Sequence, residues 1–419
     1  MLDIKLVREK KDEIKKALLK RMSEKDLDLD RIIRIDDERK EIISQTEELK
    51  AERNKYSKTK PSPDVIKKMK KMGDDIKRLD EELRKKEDKL NMELSELPNI
   101  PSDDVLPGGK ENNKVVKTFS KKPDFDFEPK DHVDLATSLD IIDYKRAVKM
   151  SGSGFWCYKG EGALLEWALL NYFIDFHKKN GYTFLIPPFL LNEKSAYASG
   201  HLPKFRDDLF WTSGSSDKKE DLCLNATSEM MLTNYHRDEI LNEKDLPLKY
   251  FAYSTCFRKE AGSYRKEERG MIRGHQFNKI EMFQFVKPDD STKALDELVK
   301  NAEKLVEGLG LHYQTVLLAA KDASAAMSKT LDIEVWIPSM GGYKEVSSAS
   351  NALDYQARRA NIRYKDLGSG KNEFAHTLNA SGLATSRLLP AILEQFQQKD
   401  GSVLVPEVLH KYVGEKVIK

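Results

Sequence analysis

Residues Cys256–Phe285 read CFRKEAGSYRKEERGMIRGHQFNKIEMFQF, in which two alternating apolar runs flank a charged, glycine-bounded middle. The alternation predicts the two strands of a hairpin. Arg258 and Glu260 would share one face of the first strand, and Phe277, Lys279 and Glu281 one face of the second. An arginine can bind a phosphate and an aromatic ring can stack on a purine. The alternative is a half-exposed hairpin held by cross-strand ion pairs.

The sequence around this hairpin mixes helices and strands without a regular strand–helix–strand repeat. GALLEWALLNYFIDFHKKNG (162–181) has the apolar spacing of an amphipathic helix. YTFLIPPFLL (182–191) follows it as a strand interrupted by Pro187 and Pro188. Neither GxxxxGK[ST] nor GxGxxG occurs in the chain. The pattern therefore predicts an α+β domain with a largely antiparallel β-sheet flanked by helices.

A second charged cluster lies in GYKEVSSASNALDYQARR (342–359). Glu345, Ser347 and Ser348 are hard oxygen ligands close together, as Mg²⁺ bridging two phosphates requires. The alternative is a helix start, where Ser and Glu cap backbone N–H groups.

A third cluster is HTLNASGLATSRLLPAILEQFQQ (376–398). Gly382, Ala384 and Ser386 place small residues at alternate positions of a predicted strand, which allows close approach of a ligand or helix. Arg387 follows at the start of an apolar helix, where its charge opposes the helix dipole. A bound anion would explain an arginine at that position.

The first 110 residues differ in composition and predict two long helices. Ile35, Ile42, Leu49 and Tyr56 recur every seven residues, and a second apolar seam runs from Met69 to Leu97. We expect an antiparallel coiled-coil hairpin over about 27–97 with its tip near 58–64, reaching about 45 Å at ~1.5 Å per residue. The linker Pro98–Asn113 divides this arm, 1–110, from a second domain, 111–419.

The predicted tip of the arm is strongly basic. Between residues 50 and 71 the only acids are Glu52 and Asp64. The bases are Lys50, Arg53, Lys55, Lys58, Lys60, Lys67, Lys68, Lys70 and Lys71. Such a tip could bind nucleic-acid phosphates beyond the body of the protein. The alternative is an ordinary solvated coiled-coil face.

Composition narrows the classes of protein to which the chain could belong. The formal net charge of the 419 residues is only +2, which leaves local patches to decide any polyanion binding. Three separated cysteines without a CxxC pair indicate neither a disulfide framework nor a zinc site, and suit a reducing cytosol. The charged start MLDIKLVREK predicts no signal peptide, and no stretch reaches the ~20 apolar residues of a membrane span.

Together these motifs resemble the bacterial type of seryl-tRNA synthetase, a class II aminoacyl-tRNA synthetase, over essentially the whole chain. GYTFLIPPFL resembles class II motif 1, FRKE…RGMIRGHQFNKIEMFQF motif 2 and GLATSR motif 3. LNATSEMML, SGHLPKF, EVSSASNALDYQARR and HTLNASGLA resemble segments peculiar to the seryl enzyme. The resemblance implies a class II catalytic domain over 111–419, preceded by a tRNA-binding helical arm.

The resemblance also implies site residues. The catalytic residues would be Arg258, Arg387 and Glu345. ATP would contact Arg258, Lys259, Glu260, Gly274, Phe277, Glu345, Val346, Ser347, Ser348 and Arg387. Serine would contact Thr227, Ser228, Glu229, Arg258, Glu281 and Ser381. Mg²⁺ would be bound with ATP by Glu345 and Ser348, with no zinc expected. The tRNA would contact Arg53, Lys58, Lys60, Lys67, Lys68 and Arg269, and the 262–270 loop would close over ATP.

Several expectations about chemistry and partners follow from the resemblance. L-serine would be activated by ATP and transferred to tRNA(Ser), with tRNA(Sec) an open second acceptor. The enzyme would be a cytoplasmic homodimer, paired through the motif 1 helix and strand and independent of membranes. Five residues depart from the usual family pattern and put the tightness of the pocket in question: His201, Ser228, Gly274, Ala380 and Ser386.

Two other functional classes of protein remain as alternatives. A paralogue could activate an amino acid for a different carrier, but a small carrier does not need so long a basic arm. A non-catalytic RNA-binding coiled-coil protein would not need to retain Arg258, Glu260, Glu345 and Arg387.

Overall fold

The computed structural model describes residues 1–56, 62–212, 221–260 and 270–419. The chain divides into two compact units, Met1–Ile100 and Pro101–Lys419. The linker predicted from composition spans this division, and the boundary predicted at residue 110 remains a prediction. No helix of the described residues combines the length and apolarity needed to cross a membrane.

The first unit is built on the predicted pair of long helices. Its helices are α1 Ile4–Glu9, α2 Lys11–Leu18, α3 Leu29–Tyr56 and α4 Pro63–Glu96. Helices α3 and α4 are antiparallel, since ion pairs join Arg31 to Glu93 near one end and Glu52 to Lys68 near the other. Pro63 occupies the first turn of α4, where its missing N–H costs nothing. The predicted hairpin is confirmed, although residues 58–61 of its predicted tip lie outside the described residues.

The second unit contains the remaining elements. Its helices are α5 His132–Ser138, α6 Tyr144–Ser151, α7 Glu161–Lys179, α8 Glu193–Ala198, α9 Glu229–Asn234, α10 Ser291–Gly308, α11 Tyr355–Ala360, α12 Thr385–Gln395 and α13 His410–Val413. Its strands are β1 Lys114–Phe119, β2 Ile142–Asp143, β3 Cys157–Tyr158, β4 Thr183–Leu185, β5 Leu190–Asn192, β6 Leu222–Leu224, β7 Ile240–Asn242, β8 Leu248–Phe257, β9 Gln276–Val286, β10 Tyr313–Leu317, β11 Lys329–Ile337, β12 Gly342–Leu353, β13 Arg363–Lys365, β14 Asn372–Phe374, β15 His376–Ala384, β16 Val403–Leu404 and β17 Val417–Ile418.

An eight-stranded sheet organises this unit, in the order β1-β10-β11-β12-β15-β9-β8-β4. Neighbouring strands are antiparallel except β4, which lies parallel to β8 at the sheet edge. Strands β8 and β9 form the predicted hairpin, with Cys256 opposite Phe277 and Ala252 opposite Glu281. The predicted α+β class with a largely antiparallel sheet is confirmed.

Helices α7, α10 and α12 bury apolar side chains in one core with the sheet. Leu169 and Phe173 from α7, Leu298 from α10 and Leu389 from α12 are fully buried in that core. Burying each such side chain contributes about 1.5–3 kcal/mol. The core thereby fixes the positions of the strands that carry the polar site.

Two local predictions were wrong, and one alternative is excluded. Strand β8 ends at Phe257, so Arg258 and Glu260 follow the strand rather than alternate along it, and Glu260 has a positive φ of 51°. Ser386 lies inside α12, since β15 ends at Ala384. Residues 342–353 form the strand β12, which excludes the helix-start alternative for Glu345.

Candidate active site

A cleft lies over the central strands of the large sheet. It consists of a cavity of about 450 Å³ and an adjoining one of about 40 Å³. The two share the lining residues Arg258, Glu260, Arg273, Lys279, Glu345 and Ser381. Because so many lining residues are common to both, the cavities form one continuous site.

The strand β9 supplies the face that the sequence predicted. Phe277 lines the smaller cavity, Glu281 the larger one, and Lys279 both. The guanidinium of Arg258 lies 5.3 Å from the centre of the Phe277 ring, within the range of a cation–π contact. The site therefore presents a cation beside an aromatic plane.

Backbone contacts hold Arg258 in place although it lies beyond the end of β8. Its N–H donates to the carbonyl of His275 at 2.9 Å, and Nε donates to the carbonyl of Ala226 at 3.2 Å. His275 Nδ1 lies 3.0 Å from the carbonyl of Arg258. His275 thus has a structural role here, because it holds the backbone of Arg258.

Glu260 and Arg273 form an ion pair at the junction of the two cavities. Arg273 Nε donates to Glu260 Oε2 at 2.7 Å. Both side chains are only partly exposed, at 20% for Glu260 and 31% for Arg273. The left-handed backbone at Glu260 turns this carboxylate back toward the cleft that Arg258 enters.

A β-bulge brings Glu345 and Ser348 to the same cavity. Residues three apart on a regular strand point to opposite faces. In β12, Ser347 is opposite Ile333 while Glu345 is opposite Glu334, which leaves Val346 as the extra residue. Glu345 and Ser348 consequently both line the larger cavity.

Arg387 spans the gap between α12 and β12. Its Nη1 donates to the carbonyl of Glu345 at 2.9 Å and approaches Glu345 Oε2 at 3.4 Å. Its Nε donates to the carbonyl of Ile272 at 3.2 Å. The guanidinium stays 30% exposed and lines the smaller cavity. An arginine placed this way can still bind an anion with its outward N–H groups.

The larger cavity ends in a buried cluster of opposite charges. Lys279 Nζ pairs with Glu281 Oε2 and donates to Thr227 Oγ1 at 2.7 Å. Asn379 Nδ2 lies 3.0 Å from Glu281 Oε1 and 3.2 Å from Glu229 Oε2, and so bridges the two carboxylates. Such a cluster can recognise a small zwitterion, with carboxylates for its amine or hydroxyl and cations for its carboxylate.

Burial perturbs the titration of two groups in the cleft. Burial, together with the negative charge of the neighbouring Glu281, raises the pKa of Glu229 to about 7. Burial also lowers the pKa of His201 to about 3, with Arg258 acting in the same direction. His201 is therefore a neutral imidazole at neutral pH, hydrogen-bonded through Nδ1 to Ser199 Oγ at 2.9 Å.

Oxygen donors suited to a hard cation meet near Ser348. Asp332 lies directly opposite Ser348 in the strand pairing, is buried, and its Oδ1 has no hydrogen-bond partner among the described residues. Burial raises the pKa of Asp332 well above its usual range, with Glu345 adding to the effect. No group of three His, Cys, Asp or Glu side chains within the described ranges could hold a metal alone. A cation here would take most ligands from a bound phosphate, as Mg²⁺ commonly does.

Four predicted contact residues point away from the cleft. Ser228 is fully buried and its hydroxyl donates to Ser254 Oγ at 2.7 Å. Val346 lies in the apolar core, and Ser347 donates to the carbonyl of Ser381 at 2.6 Å. Lys259 is exposed outside both cavities. We therefore expect no side-chain contact between these four residues and a ligand.

Other cleft residues were missed as site residues by the sequence analysis. They are Arg273 and Asn379, together with Lys279, which was placed on the correct face but given no role. Asp332, which lies behind Ser348 and lines neither cavity, was missed as well. Asp332 and Asn379 sit in apolar strand runs, where a lone polar residue on the inward face was the available signal.

The arm residues differ in how far they are already paired. Lys68 Nζ lies 2.8 Å from both Glu52 Oε1 and the Tyr56 hydroxyl. Lys67 is exposed, and Arg53 has no hydrogen-bond or ion-pair partner among the described residues. Predicted contacts at Lys58, Lys60 and Arg269, and residues 262–269 of the predicted 262–270 loop, lie outside the described residues.

Comparisons with known proteins agree with this geometry. Residues 1–101 match the family "Seryl-tRNA synthetase N-terminal domain", and residues 210–396 match "tRNA synthetase class II core domain (G, H, P, S and T)". The chain is 55% identical to "Serine--tRNA ligase 2" of Clostridium acetobutylicum, with 99% of each sequence covered. It is 45% identical to "Serine--tRNA ligase" of Thermodesulfovibrio yellowstonii over the full length of both.

Solved structures show the same similarity. The crystal structure of seryl-tRNA synthetase from Pyrococcus horikoshii complexed with ATP superposes with a TM-score of 0.92 at 34% identity, covering 100% of this chain and 99% of that one. The cytoplasmic serine–tRNA ligase from Naegleria fowleri in complex with AMP gives a TM-score of 0.88 at 32% identity, with the same coverage.

Proposed function

The chain belongs to the seryl-tRNA synthetase family, and on that premise we propose roles for the individual residues of its cleft. The reaction is the ATP-dependent ligation of serine to tRNA. Serine and ATP first give seryl-adenylate and pyrophosphate, and the seryl group then passes to the 3′-terminal adenosine of the tRNA. The proposal rests above all on Phe277, Lys279 and Glu281, which lie along one face of β9 and join the two cavities.

The smaller cavity and the adjoining part of the larger one are the proposed ATP site. Phe277 stacks on the adenine, Glu260 accepts a hydrogen bond from its amino group, and the backbone of Gly274 lines its edge. Arg258 binds the α-phosphate and Arg387 the γ-phosphate. The P. horikoshii relative that superposes on this chain was solved with ATP, which supports a nucleotide at this site.

The larger cavity is the proposed serine site. Thr227 and Glu229 bind the amino group, Arg258 the carboxylate, and Glu281 with Ser381 the hydroxyl. The serine carboxylate is ionised at neutral pH, so its attack on the α-phosphorus needs no general base. Catalysis then consists of positioning and charge neutralisation by the two arginines.

We propose that Glu345 and Ser348 also hold Mg²⁺ when ATP binds, because the donor set fits a hard cation. The metal would neutralise negative charge on the phosphates. Asp332 lies behind Ser348 and is positioned to orient its hydroxyl.

The proposed selectivity for serine follows from the burial of the Glu281 carboxylate. The Glu281 side chain is only 1% exposed. Alanine would leave that carboxylate without the hydroxyl it is arranged to bind, which a hydrogen-bonding site rejects by a factor on the order of 10⁴. Threonine would add a methyl group beside Ser381 and Asn379.

We propose tRNA(Ser) as the acceptor, bound by Arg269 and by the predicted arm contacts Arg53, Lys58, Lys60, Lys67 and Lys68. Phosphate contacts carry no base-sequence information, so the proposal extends to tRNA(Sec) as a second acceptor. The three cysteines are free thiols, which fits a reducing cytoplasm as the place of the reaction.

We further propose a homodimer through α7 and β4. Leu164 and Trp167 on α7 are 52% and 54% exposed, and Phe184 and Ile186 at β4 are 38% and 73% exposed. Exposed apolar side chains on a helix and beside an edge strand are typical of a protein interface. Sedimentation should give a dimer that Ile186→Lys converts to monomer; a monomeric parent would contradict the proposal.

The experiment that tests the activation site is serine-dependent ATP–pyrophosphate exchange without tRNA. Threonine, alanine and glycine serve as controls. We expect exchange with serine alone. Folded protein that binds ATP and exchanges with none of the four amino acids would refute the assignment of the cleft.

A further inference from the structure

Glu166 is a buried carboxylate outside both cavities. It lies on α7, is 2% exposed, and has no part in the proposed binding of serine or ATP. Its Oε1 accepts hydrogen bonds from Thr385 Oγ1 at 2.6 Å and from Asn278 Nδ2 at 2.8 Å. Burying a carboxylate costs free energy unless hydrogen bonds compensate it, and here Thr385 and Asn278 supply those bonds.

Both partners are neighbours of proposed ATP contacts. Asn278 lies between Phe277 and Lys279 on β9, and Thr385 lies two residues before Arg387 at the start of α12. The Thr385 hydroxyl is also 3.1 Å from the carbonyl of Asn278. One carboxylate oxygen therefore ties the strand that carries the adenine-stacking ring to the helix that carries the phosphate-binding arginine.

The rest of the network makes this link rigid. Asn278 Oδ1 lies 3.1 Å from Thr255 Oγ1 and 3.2 Å from the Tyr253 hydroxyl, both on β8. Asn278 thus has both ends of its amide satisfied, with Glu166 as the acceptor for Nδ2. Without that acceptor, Asn278 Nδ2 would lose its buried partner and Thr385 Oγ1 would keep only the carbonyl of Asn278, so the link between β9 and α12 would weaken.

We propose that Glu166 is a positioning residue for ATP, holding Phe277 and Arg387 in the spacing that the nucleotide requires. This inference rests on the proposed roles of those two residues. The second oxygen of Glu166 makes no hydrogen bond within the described residues and lies near the buried Tyr158 hydroxyl. Burial raises the pKa of Glu166 to about 7, and Oε1 can accept both hydrogen bonds in either protonation state of the carboxyl.

The test compares three variants by pyrophosphate exchange, with KM measured separately for ATP and serine. Glu166→Leu keeps the volume and removes the acceptor. We expect the KM for ATP to rise roughly tenfold and that for serine to change less than about twofold. Glu166→Gln keeps Oε1 and should restore the ATP KM to within about threefold of the parent. Asp175→Leu removes a carboxylate bonded to Tyr412 from the same helix and should leave the ATP KM unchanged.

Several results would overturn the inference. They are an unchanged ATP KM in Glu166→Leu, an equal rise in both KM values, failure of Glu166→Gln to restore the ATP KM, or the same ATP effect in Asp175→Leu. If Glu166→Leu does not fold, Thr385→Val decides the question, because it removes only one hydroxyl; a parental ATP KM in that variant overturns the inference.

A parallel pair of variants separates this inference from the proposed function. Phe277→Leu and Arg387→Ala should each raise the ATP KM more than Glu166→Leu does. If they do while Glu166→Leu and Thr385→Val do not, the positioning role alone is wrong. If Phe277→Leu and Arg387→Ala leave the ATP KM unchanged, the assignment of the ATP site is wrong and the positioning role falls with it.

Discussion

The arm and the cleft both depend on charged side chains, but they expose them to water very differently. In the arm, the pair Lys68–Glu52 leaves 52% and 44% of its side chains exposed. In the cleft, Lys279–Glu281 leaves 6% and 1% exposed. Water screens the first pair and is excluded from the second, so the same kind of ion pair has different consequences in the two regions.

This difference implies two modes of action. Exposed charges on the arm add up as a field that attracts phosphates, weakens with salt and tolerates the loss of any one member. Buried charges in the cleft act through fixed geometry, where losing one partner leaves the other unpaired in a low-dielectric environment. We therefore expect substitutions in the cleft to have larger effects than substitutions on the arm.

The largest effect is expected at the buried pair. Glu281→Gln removes the charge that compensates Lys279, and breaking a buried pair costs about 3–5 kcal/mol. We predict a drop in kcat/KM for serine on the order of 10³-fold in pyrophosphate exchange. The matched control is Glu297→Gln, which breaks the more exposed pair with Lys249 and should change activity less than about twofold. A loss below tenfold in Glu281→Gln would contradict the account.

The cleft unit should also show opposing pH effects on stability. Burial raises the pKa of Glu229 to about 7 and lowers that of His177 to about 4. A carboxyl with a raised pKa stabilises the fold at low pH and loses that contribution as pH rises from about 4.5 to 7. A histidine with a lowered pKa stabilises the fold above about 6.5 and loses that contribution as pH falls toward 4. In the parent these trends partly cancel.

Replacing either Glu229 or His177 should reveal the pH dependence of stability that the other contributes. Relative to the parent, His177→Gln should make the free energy of unfolding fall by about 2 kcal/mol more as pH rises from 4.5 to 6.5. Glu229→Gln should shift the slope in the opposite direction. Urea unfolding at three pH values measures this, and parallel curves for parent and variants would contradict the burial argument.

A smaller effect is expected at the floor of the adenine site. Gly274 is one of the five residues that depart from the usual family pattern, and a Cβ there would lie 2.1 Å from Trp156 Cζ3. Gly274→Val should destabilise the fold by about 1–3 kcal/mol through overpacking. Trp156→Leu should relieve part of the clash, so the double variant should be more stable than additivity predicts. If the changes in the free energy of unfolding of the two single variants add to within about 0.5 kcal/mol, Trp156 is not the residue that opposes the valine side chain.

The smallest effect is expected on the arm. Lys67→Met removes an exposed charge, whereas Lys68→Met removes one already paired with Glu52 and Tyr56. We predict that Lys67→Met raises the KM for tRNA about threefold. It should also make the slope of log binding constant against log salt concentration shallower by ~0.7–0.9. Lys68→Met should change both quantities less. A larger effect of Lys68→Met would show that its ion pair opens when tRNA binds.

The two regions also differed in how far sequence could predict them. The seven-residue repeat that begins at Ile35 and the apolar seam from Met69 to Leu97 sufficed to predict the arm, because a coiled coil depends on local spacing. In β9, simple alternation correctly placed Phe277, Lys279 and Glu281 on one face. These are cases where one periodic element decides the position of each side chain.

Sequence reasoning failed where position depends on a departure from periodicity. The bulge at Val346 directs Glu345 and Ser348 to one cavity, and no residue type in the segment specifies it. The left-handed Glu260 was taken as part of a strand. Glu166 was read only as part of an amphipathic helix, since its partners Asn278 and Thr385 are more than a hundred residues away in the sequence.

The most direct test of the division between arm and cleft measures two activities of one variant. Lys58, Lys60, Lys67 and Lys68 are all changed to Glu, and serine-dependent pyrophosphate exchange is compared with tRNA aminoacylation at the same salt concentration. The account predicts that aminoacylation falls at least about a hundredfold while exchange stays within about twofold of the parent. An equal loss of both activities would contradict it.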